Sequence, residues 1–546
     1  MATDREESPD LDGVGYIEED HPLRPSLAAQ SIALLQVPDR ERTRHVSVVS
    51  NTDQDVPIFP RETIYRPTRQ KGLNGRLVFA IAAAAVGSSF QHGYNTGVVN
   101  APQKLIEDFI RNVMANRTGG TTTVAEISQE SVTMIWAIAV SIFCVGGMIG
   151  GTLVGYVANT FGRKGGLLWN NVFVFVAALL QGFSKSANSY EMIIAGRFFI
   201  GINSGLNAGL APMYLAEISP VHLRGAVGTT YQLVLTISIL ISQILGLGSV
   251  LGTVDLWPML LAATAVPAIF MVFALPVCPE SPKYLLSGKS QELEARRALS
   301  WFRGTIEVQD EMEEMKAENE QIKLVPKVTL KEMFINPSLR IPLMIAMVIM
   351  IAQQLSGINA AMFFSTEIFR MASLNERDAQ LATLLMGAVN VLMTLVSLVV
   401  VEKAGRKTLL LVGFGGMFID TILLTLGLVS VKNHAWVSYF CIAFVLLFVI
   451  MFAVGPGSIP WFLVNELFNQ SARPTACSIA VTTNWTANFF VGLGFLPLKV
   501  IMEGYVFLIF VVLQGIFSFF IWKKVPETKN RTIEEISAMF RQISYQ

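Results

Sequence analysis

Twelve apolar stretches, each about long enough to cross a bilayer, dominate this 546-residue chain. A helix needs about 20 apolar residues to cross a membrane, where backbone groups find no water to bond. The sequence therefore predicts an all-α membrane protein with twelve transmembrane helices. The predicted spans are residues 76–98, 132–157, 166–184, 190–215, 226–250, 257–278, 340–369, 379–401, 408–430, 436–462, 474–497 and 502–522.

The apolar stretches fall into two sets of six, which predicts the domain organisation. Residues 76–278 and 339–522 are predicted to form two six-helix bundles. The charged residues 279–338 between them are predicted to be a linker of short amphipathic cytoplasmic helices. Residues 1–75 are polar and lack an apolar core, so a disordered cytoplasmic tail without a signal peptide is expected. Residues 523–546 are predicted to form a second cytoplasmic tail.

Positive charges in the loops predict the orientation of the spans. One set of loops carries most of the basic residues, whereas the opposite loops hold mostly single lysines. The basic set is Arg163-Lys164, Arg224, Lys403, Arg406-Lys407, Arg473 and Lys523-Lys524. These loops, and with them both termini, are predicted to be cytoplasmic. The sequon at Asn116 lies in the one long loop on the other side and is the predicted glycosylation site.

Charge and motifs exclude several classes of function. The 41 basic and 41 acidic residues balance, so nucleic-acid binding is not expected. The four cysteines lie within apolar segments, at spacings that match neither a disulfide framework nor a zinc site. The sequence has no phosphate-binding loop of the ATPase type, so an ATP-driven pump is not expected. We expect no enzymatic activity, no catalytic residues, no metal and no cofactor.

A polar stretch interrupts the seventh predicted span. The amides of Gln353, Gln354 and Asn359 are costly at membrane depth unless they have partners. They do not share one face of a regular helix, but Ser356-Gly357 between them could relax the helix and let them converge. Amides offer both donors and acceptors, which suits a neutral ligand with many hydroxyls. Hydrogen bonding to neighbouring helices is the alternative.

Three motifs recur in the two halves of the chain. The recurring pairs are Gly162-Arg163-Lys164 with Gly405-Arg406-Lys407, Glu217 and Arg224 with Glu466 and Arg473, and Pro279 to Lys283 with Pro526 to Lys529, at offsets of 243, 249 and 247 residues. Such a duplication builds secondary transporters, in which two bundles rock about a central site. Ion pairs between the halves, formed by the repeated arginines and glutamates, are predicted to hold the inner side closed. The tendency of cytoplasmic loops to be basic explains some of these arginines without a gate.

Other polar and aromatic side chains at mid-span extend the candidate site. The candidates are Gln232 in the fifth span, Asn390 in the eighth, Phe452 and Trp461 in the tenth, and Asn484 and Trp485 in the eleventh. Amides can bond sugar hydroxyls and aromatic rings can cover the C–H faces of a sugar, while packing is the alternative for any one of them. Gly455, Pro456 and Pro460 interrupt the tenth span, which predicts either a gate or a kinked structural helix.

Together these motifs resemble those of the sugar porters of the major facilitator superfamily, and among them the animal facilitative glucose transporters. The similarity covers about residues 76–540 and includes Gly196-Arg197, Pro279 to Pro282, Gln353 to Asn359, Val454 to Trp461 and Pro526 to Lys529. It implies that Gln232, Gln353, Gln354, Asn359, Asn390, Trp461 and Asn484 hold the hexose hydroxyls, with Trp485 and Phe452 lining the site.

Two departures from the family pattern bear on this site. Ala453 stands where close relatives carry a glutamate, which removes a possible acceptor for a hydroxyl. Phe363-Phe364 replaces the usual tyrosine pair of the outer gate, so this gate loses two hydroxyls.

The resemblance implies facilitated diffusion of hexose, with D-glucose the first expectation, across the plasma membrane by alternating access. Proton-coupled relatives place an aspartate in the first span, where this chain has Asn95, and an amide carries no proton. Asp420 in the ninth span leaves proton coupling open, and a non-transporting sugar sensor is the other alternative. Fructose, galactose and dehydroascorbate are the alternative substrates. The expected partners are the sugar and the lipid bilayer, and the oligomeric state is left open.

Overall fold

The computed structural model describes residues 73–119, 123–220, 223–324, 326, 328–469, 471–529, 531 and 533–544. Residues 1–72, almost all of the predicted disordered tail, lie outside the described residues. Helices dominate the part of the chain that is described, and each of the twelve predicted spans coincides with a helix or with two consecutive helices.

The first bundle follows the six predicted spans closely. Its helices are α1 Gly75–Gly97, α2 Gln103–Arg117, α3 Gln129–Thr160, α4 Arg163–Phe183, α5 Glu191–Ile218, α6 Arg224–Leu245, α7 Trp257–Ala262 and α8 Ala265–Ala274. Helix α2 lies in the loop after the first span, and α7 and α8 together form the sixth span.

The linker and the second bundle complete the chain. The linker helices are α9 Pro282–Ser287, α10 Glu292–Arg303, α11 Gln309–Leu324 and α12 Leu330–Ile335. The second bundle contains α13 Pro337–Gln353, α14 Asn359–Met371, α15 Glu376–Lys403, α16 Arg406–Ser430, α17 Val437–Val454, α18 Ile459–Leu467, α19 Arg473–Met502 and α20 Phe507–Lys524, and α21 Ile533–Ser544 follows it. The seventh and tenth spans are therefore each broken into two helices, α13 with α14 and α17 with α18.

By length and composition, nine helical segments in the described residues are apolar enough to cross a membrane. The nine include one continuous segment, Arg473–Lys524, that contains both the eleventh and the twelfth predicted spans. The helices α1 and α5 are not among the nine. Both carry buried polar side chains, such as Gln91 in α1 and Arg197 in α5, because they pack inside the first bundle. The fold is nevertheless that of twelve helices in two bundles.

The two ends of the molecule differ in how the bundles meet. The linker helices contact the start of α1, where Asn74 Nδ2 donates to the carbonyl of Phe302 at 2.7 Å, whereas α2 follows the end of α1. We call these ends the linker side and the loop side. On the loop side one buried apolar cluster contains residues of both bundles, among them Trp136 of α3 and Phe364 of α14. Nearer the linker side, the two large clusters each belong to one bundle and its adjoining helices.

Glycines along α3 show where the bundles separate. A Cβ atom on Gly147 would lie 2.7 Å from the Trp485 ring of α19, and one on Gly151 would lie 3.4 Å from Val481. One turn nearer the linker side, a Cβ on Gly155 would meet nothing within 4 Å. The bundles are thus in contact on the loop side and apart on the linker side.

A network of buried amides holds the first bundle together. Asn170 Nδ2 of α4 donates to Asn207 Oδ1 of α5 at 2.9 Å, and Asn207 in turn donates to Asn203 Oδ1 at 3.0 Å. Gln91 Nε2 of α1 donates to Asn171 Oδ1 of α4 at 3.1 Å. Because each amide finds a partner on another helix or the next turn, the network offsets the cost of placing polar groups inside the bundle.

Candidate functional site

The seventh span is interrupted at the predicted polar stretch. Residues Gln354–Ile358 form a short π-helix, and Gly357 in it adopts a φ of 99°, which a residue with a side chain rarely takes. The hydroxyl of Ser356 donates to the carbonyl of Gln353 at 2.6 Å. The hypothesis that Ser356-Gly357 relaxes this helix is confirmed.

The break brings the amides of the seventh span together with one from α19. Asn484 Nδ2 donates to Gln353 Oε1 at 2.7 Å, and Gln354 Nε2 donates to Asn484 Oδ1 at 2.9 Å. Asn359 Nδ2 donates to Gln354 Oε1. All four amides carry no charge, and they form one connected cluster, which we call the amide cluster.

The tenth span is broken at the predicted Gly-Pro-Gly motif. Helix α17 ends at Val454 and α18 begins at Ile459. A Cβ on Gly455 would lie 2.1 Å from the carbonyl oxygen of Leu409, so only glycine allows this approach to α16. Pro456 packs against Gly413, which also belongs to α16. A Cβ on Gly413 would lie 2.3 Å from the proline ring.

Gln353 joins the amide cluster to this break. Its Nε2 donates to the carbonyl of Pro456 at 2.8 Å and to that of Gly457 at 2.9 Å. These carbonyls lie between α17 and α18, where helical hydrogen bonding is interrupted, so they need donors from elsewhere. One side chain therefore contacts both the amide cluster and the broken segment of the tenth span.

Five predicted site residues lie outside the amide cluster: Trp485, described below, and four others. Gln232 of α6 is exposed, and Trp461 at the start of α18 is 40% exposed. Phe452 is half-buried against the loop-side apolar cluster. Asn390 of α15 is buried, with no hydrogen bond to its amide among the described residues. Convergence of these four with the cluster is not seen in this conformation, so their role in binding stays a prediction.

Trp485 of α19 reaches into the first bundle. Its ring stacks on His92 of α1 with centroids 5.7 Å apart, and meets Phe143 of α3 edge-on at 5.8 Å. The side chain is 6% exposed. Its neighbour in sequence, Asn484, belongs to the amide cluster, so α19 places one side chain in the cluster and the next against the opposite bundle.

The loop side of the site is closed by contacts between the bundles. Phe363 and Phe364 are fully buried in the shared apolar cluster, and Phe364 stacks on Phe495 of α19 with centroids 5.6 Å apart. Asn100, just after α1, binds α14 of the other bundle: its Oδ1 accepts from the backbone N–H of Thr366 at 3.0 Å, and its Nδ2 donates to the Met362 carbonyl at 3.2 Å. Asn100 is a contact that sequence reasoning missed.

The repeated ion pairs form within each bundle, not between them. Arg163 Nε lies 3.0 Å from Glu217 Oε2 in the first bundle, and Arg406 Nη2 lies 3.0 Å from Glu466 Oε1 in the second. Because the bundles are apart on the linker side here, this conformation does not test pairs between the halves that would close that side, and they stay a prediction. The pairs form within each bundle because each glutamate ends a helix beside the start of the helix that carries the arginine of its own bundle.

The repeated motifs that begin at Pro279 and Pro526 contribute to the same two places. We call each of them a corner: the first contains Arg163, Glu217 and Glu280, and the second contains Arg406, Glu466 and Glu527. The Glu280 carboxylate accepts from the backbone N–H groups of Arg163 at 3.1 Å and Lys164 at 2.9 Å. Glu527 accepts from those of Arg406 at 2.8 Å and Lys407 at 3.2 Å in the same way. Each glutamate thereby accepts hydrogen bonds from backbone N–H groups that have no partner within their helix. Glu280 does so at the start of α4 and Glu527 at the start of α16.

Arg224 and Arg473, the other predicted gate residues, take less part in these corners. Arg473 Nη2 donates to the carbonyl of Phe468 at 3.2 Å. The Nε of Arg224 and that of Arg473 are buried without a hydrogen bond to any described residue.

A buried arginine lies next to Asn95 of the first span. Arg197 of α5 is 1% exposed, and its Nη1 donates to the backbone carbonyl of Asn95 at 2.8 Å. The guanidinium also lies over the Phe143 ring, 4.6 Å from its centroid. The Asn95 side chain donates to Thr264 Oγ1 at 2.8 Å. Arg197 thus contacts the backbone of Asn95, whose side chain is an amide and not a carboxylate.

Two helical bundles that meet about a polar centre, with broken helices contributing to that centre, define a secondary transporter. The family model described as "Sugar (and other) transporter" matches residues 80–540. The chain belongs to this family, so it is a sugar transporter and not an enzyme.

Named relatives agree with this assignment, and a solved structure agrees with the fold. The facilitated glucose transporter member 1 of solute carrier family 2 from Gallus gallus is 46% identical over 470 residues, covering 86% of this chain and 94% of that protein. Facilitated glucose transporter protein 1 from Caenorhabditis elegans is 47% identical over 475 residues, covering 86% and 92%. The xylose transporter XylE from E. coli, in a partially occluded inward-open conformation, has a TM-score of 0.70 at 24% identity, covering 84% of this chain and 100% of that chain. The family inferred from the sequence motifs is thereby confirmed.

Proposed function

We propose that this protein carries hexose, with D-glucose as the first substrate, down its concentration gradient across the plasma membrane. The observation that carries the proposal is the amide cluster of Gln353, Gln354, Asn359 and Asn484, tied to the break in the tenth span. Relatives at 46–47% identity are named as facilitated glucose transporters, which supports glucose over other sugars.

The cluster suits a sugar because its present hydrogen bonds can be exchanged for bonds to hydroxyls. Each sugar hydroxyl both donates and accepts, as do the amides of Gln354 and Asn484 that now pair with each other. Exchanging one neutral hydrogen bond for another changes the free energy by only about 1 kcal/mol each. Weak, exchangeable bonds allow the sugar to bind and to leave, which a transporter requires.

The link between Gln353 and the Pro456 carbonyl gives binding a mechanical consequence. A sugar hydroxyl that takes over the Gln353 amide removes a donor from the broken segment of the tenth span. The position of α18, which carries Trp461 as well as Glu466 of the second corner, then depends on whether sugar is present. Contact on the loop side and separation on the linker side correspond to the inward-facing state of an alternating-access cycle, with the linker and both termini cytoplasmic.

The amide side chain of Asn95 supports uniport. A proton-coupled cycle needs a carboxylate that alternates between ionised and neutral forms in the pathway, and Asn95 cannot supply one. Helix α2, in the long loop after the first span, would face the cell exterior, and Asn116 near its end is exposed there for glycosylation.

Transport by the purified full-length protein in proteoliposomes tests the proposal. We expect saturable uptake of radiolabelled D-glucose that is independent of an imposed pH gradient, and competition by unlabelled hexoses ranks their affinities. Gln353→Ala should raise KM about tenfold, the equivalent of about 1.4 kcal/mol. Asn433→Ala, in an exposed loop, is the matched control and should leave KM unchanged. Proton uptake coupled to sugar, or an unchanged KM for Gln353→Ala, would contradict the proposal.

A further inference from the structure

The buried face of α20 is apolar except for one side chain. Its buried residues are Phe507, Phe510, Val511, Gln514, Phe517 and Ile521. Gln514 is fully buried, and an amide in a membrane interior is costly unless it has a partner. This residue has no role in the mechanism so far, so its partner indicates what it does.

The partner of Gln514 is the backbone of the broken seventh span. Its Nε2 donates to the carbonyl of Ser356 at 2.8 Å. Ser356 is itself fully buried and comes directly before Gly357, whose φ of 99° departs from helical geometry. A buried carbonyl beside such an interruption needs a donor from elsewhere, because no water is there to supply one.

A second contact of α20 holds the next residue of the π-helix. The ring of Phe510 lies against Gly357, where a Cβ would be 3.1–3.2 Å from it. Phe510 is one turn before Gln514, and a spacing of four residues puts both on one face of α20. Two adjacent residues of the π-helix therefore rest on two adjacent turns of α20, one by apolar contact and one by a hydrogen bond.

Hydrogen bonds connect Ser356 to the amide cluster. The Ser356 hydroxyl donates to the carbonyl of Gln353 at 2.6 Å. The Gln353 side chain accepts from Asn484 at 2.7 Å and donates to the Pro456 carbonyl at 2.8 Å. Gln354, between Gln353 and Ser356 in the chain, donates to the same asparagine at 2.9 Å. A rotation of the Ser356 peptide would therefore move both glutamines.

Ser518 offers a comparison on the same helix. It lies one turn after Gln514 and is half-buried, and its hydroxyl forms no hydrogen bond to a described residue. The side-chain oxygen of Gln514 also has no partner in the described part of the chain. The amide N–H of Gln514 is thus the polar group through which α20 bonds the π-helix.

We propose that Gln514 is a positioning residue of the sugar site: its amide N–H holds the Ser356 carbonyl and so keeps Gln353 and Gln354 where they can bond sugar hydroxyls. Gln514 lies behind the π-helix and does not touch the sugar. The physical reason is that a binding site is only as precise as the groups that hold its contact residues. The inference rests on the binding role proposed for the amide cluster.

Kinetics of the purified full-length protein in proteoliposomes test this role. Gln514→Met keeps the length of the side chain but removes its N–H donor. We expect it to raise KM for D-glucose about tenfold at a Vmax within about twofold of wild type, because displaced amides bind sugar less well. Ser518→Ala is the matched control on the same helix and should leave KM unchanged. An unchanged KM in Gln514→Met would overturn the proposal.

The double variant Gln353→Ala with Gln514→Met shows whether Gln514 acts through the amide cluster. If it does, adding Gln514→Met to Gln353→Ala raises KM further by less than about twofold. Effects that multiply would show independent action and overturn the positioning role. A raised KM in Gln353→Ala with an unchanged KM in Gln514→Met would refute this inference alone. An unchanged KM in Gln353→Ala would remove the cluster and the proposed function with it.

Thermal unfolding in detergent separates positioning from a merely structural role. The shift in Tm produced by saturating D-glucose reports sugar binding without transport. We expect this shift to be smaller in Gln514→Met than in wild type and unaltered in Ser518→Ala. Gln514→Leu, which also lacks the donor, serves if the methionine variant does not fold. A lower Tm without sugar, combined with a shift of wild-type size, would mean that Gln514 supports only the fold and would overturn the proposal.

Discussion

The indole of Trp485 stacks on the imidazole of His92, with ring planes 26° apart, although the two residues belong to different bundles. His92 Nδ1 in turn lies 3.3 Å from the hydroxyl of Tyr231 on α6. This chain of contacts runs from α19 through α1 to α6 at the depth of the amide cluster. Movement of one bundle against the other must therefore separate or slide an aromatic pair beside the amide cluster.

Truncation of this side chain should weaken both folding and transport. Trp485→Ala removes a buried ring that contacts His92 and Phe143, and large-to-small changes of this kind cost about 3–5 kcal/mol. We expect a lower Tm in detergent and strongly reduced uptake, while Trp485→Phe retains part of both. Trp522→Ala is the control because that side chain is 63% exposed, and it should leave Tm nearly unchanged. Equal Tm values for the two alanine variants would contradict the packing role of Trp485.

The π-helix should not tolerate a side chain at Gly357. A Cβ there would lie 3.1–3.2 Å from the Phe510 ring, and the φ of 99° disfavours any residue other than glycine. We expect Gly357→Ala to displace the amide cluster and raise KM for glucose at least about tenfold, a cost near 1.4 kcal/mol.

Gly415→Ala is the control for this change. A Cβ at Gly415 meets nothing within 4 Å, and Gly415 lies within the helix α16. Replacing it should stabilise the helix by about 0.5–1 kcal/mol without altering KM. A normal KM in Gly357→Ala would show that the break does not orient the amides.

Swapping the charges of an arginine and a glutamate should preserve uptake better when both residues belong to one bundle than when they belong to different bundles. Arg163 and Glu217 form a bidentate contact in the first bundle, with Arg163 Nη2 also 3.0 Å from Glu217 Oε1. We expect Arg163→Glu to abolish most uptake and the added Glu217→Arg to restore part of it. Combining Arg163→Glu with Glu466→Arg should restore nothing, because Glu466 pairs with Arg406. Uptake normalised to surface protein measures both, and rescue by the second combination would support a pair between the bundles.

Acid pH on the loop side should favour closure of that side. Burial raises the pKa of the Glu107 carboxyl, and the nearby Glu367 of the other bundle raises it further, against Gln103, Arg370 and Lys499. If closure raises the pKa of this carboxyl, its protonated form stabilises the closed state at pH values below the ordinary pKa of 4.5. This stabilisation is lost as the pH rises through the raised pKa. Uptake from that side should therefore fall as the pH there is lowered toward 4.5.

Two variants separate Glu107 from other acidic groups. Glu107→Gln should flatten the acid limb of the pH profile, because the neutral amide has no proton to gain. Asp108→Asn changes the next residue, which is exposed and pairs with Arg111 in its own helix, and should leave the profile intact. A profile unchanged in Glu107→Gln would assign the pH dependence to another group.

Much of the architecture could be predicted from the sequence, because hydrophobicity alone specifies membrane spans. The break at Ser356-Gly357 was also predictable, since a helix must relax if its three amides are to meet. The hydrogen-bond partners of those amides could not be predicted, because the bond from Gln353 to Pro456 depends on how α13 and α17 rotate about their axes. The buried network around Asn170 and Asn207 was missed for the same reason.

The pairing of charges shows a second limit of sequence reasoning. Matched positions of Glu217 and Glu466 indicate duplication, but a duplicated corner can pair with itself or with its copy. In this conformation each copy pairs with itself. Gly162 and Gly405, which lie beside Glu280 and Glu527, make room for that arrangement in both copies, since a Cβ at either would lie within 2.4 Å of a glutamate oxygen.

Because the two bundles share one apolar cluster, opening the loop side costs more free energy than opening the linker side. Opening the linker side separates surfaces whose cores are already complete within each bundle, whereas opening the loop side divides a core that includes Trp136, Phe363 and Phe364. Water that enters there meets apolar side chains, at about 25 cal/mol for each Å² exposed. The empty carrier should therefore rest with its loop side shut, and the return of the unloaded protein to the opposite state becomes the step most sensitive to mutation of that core.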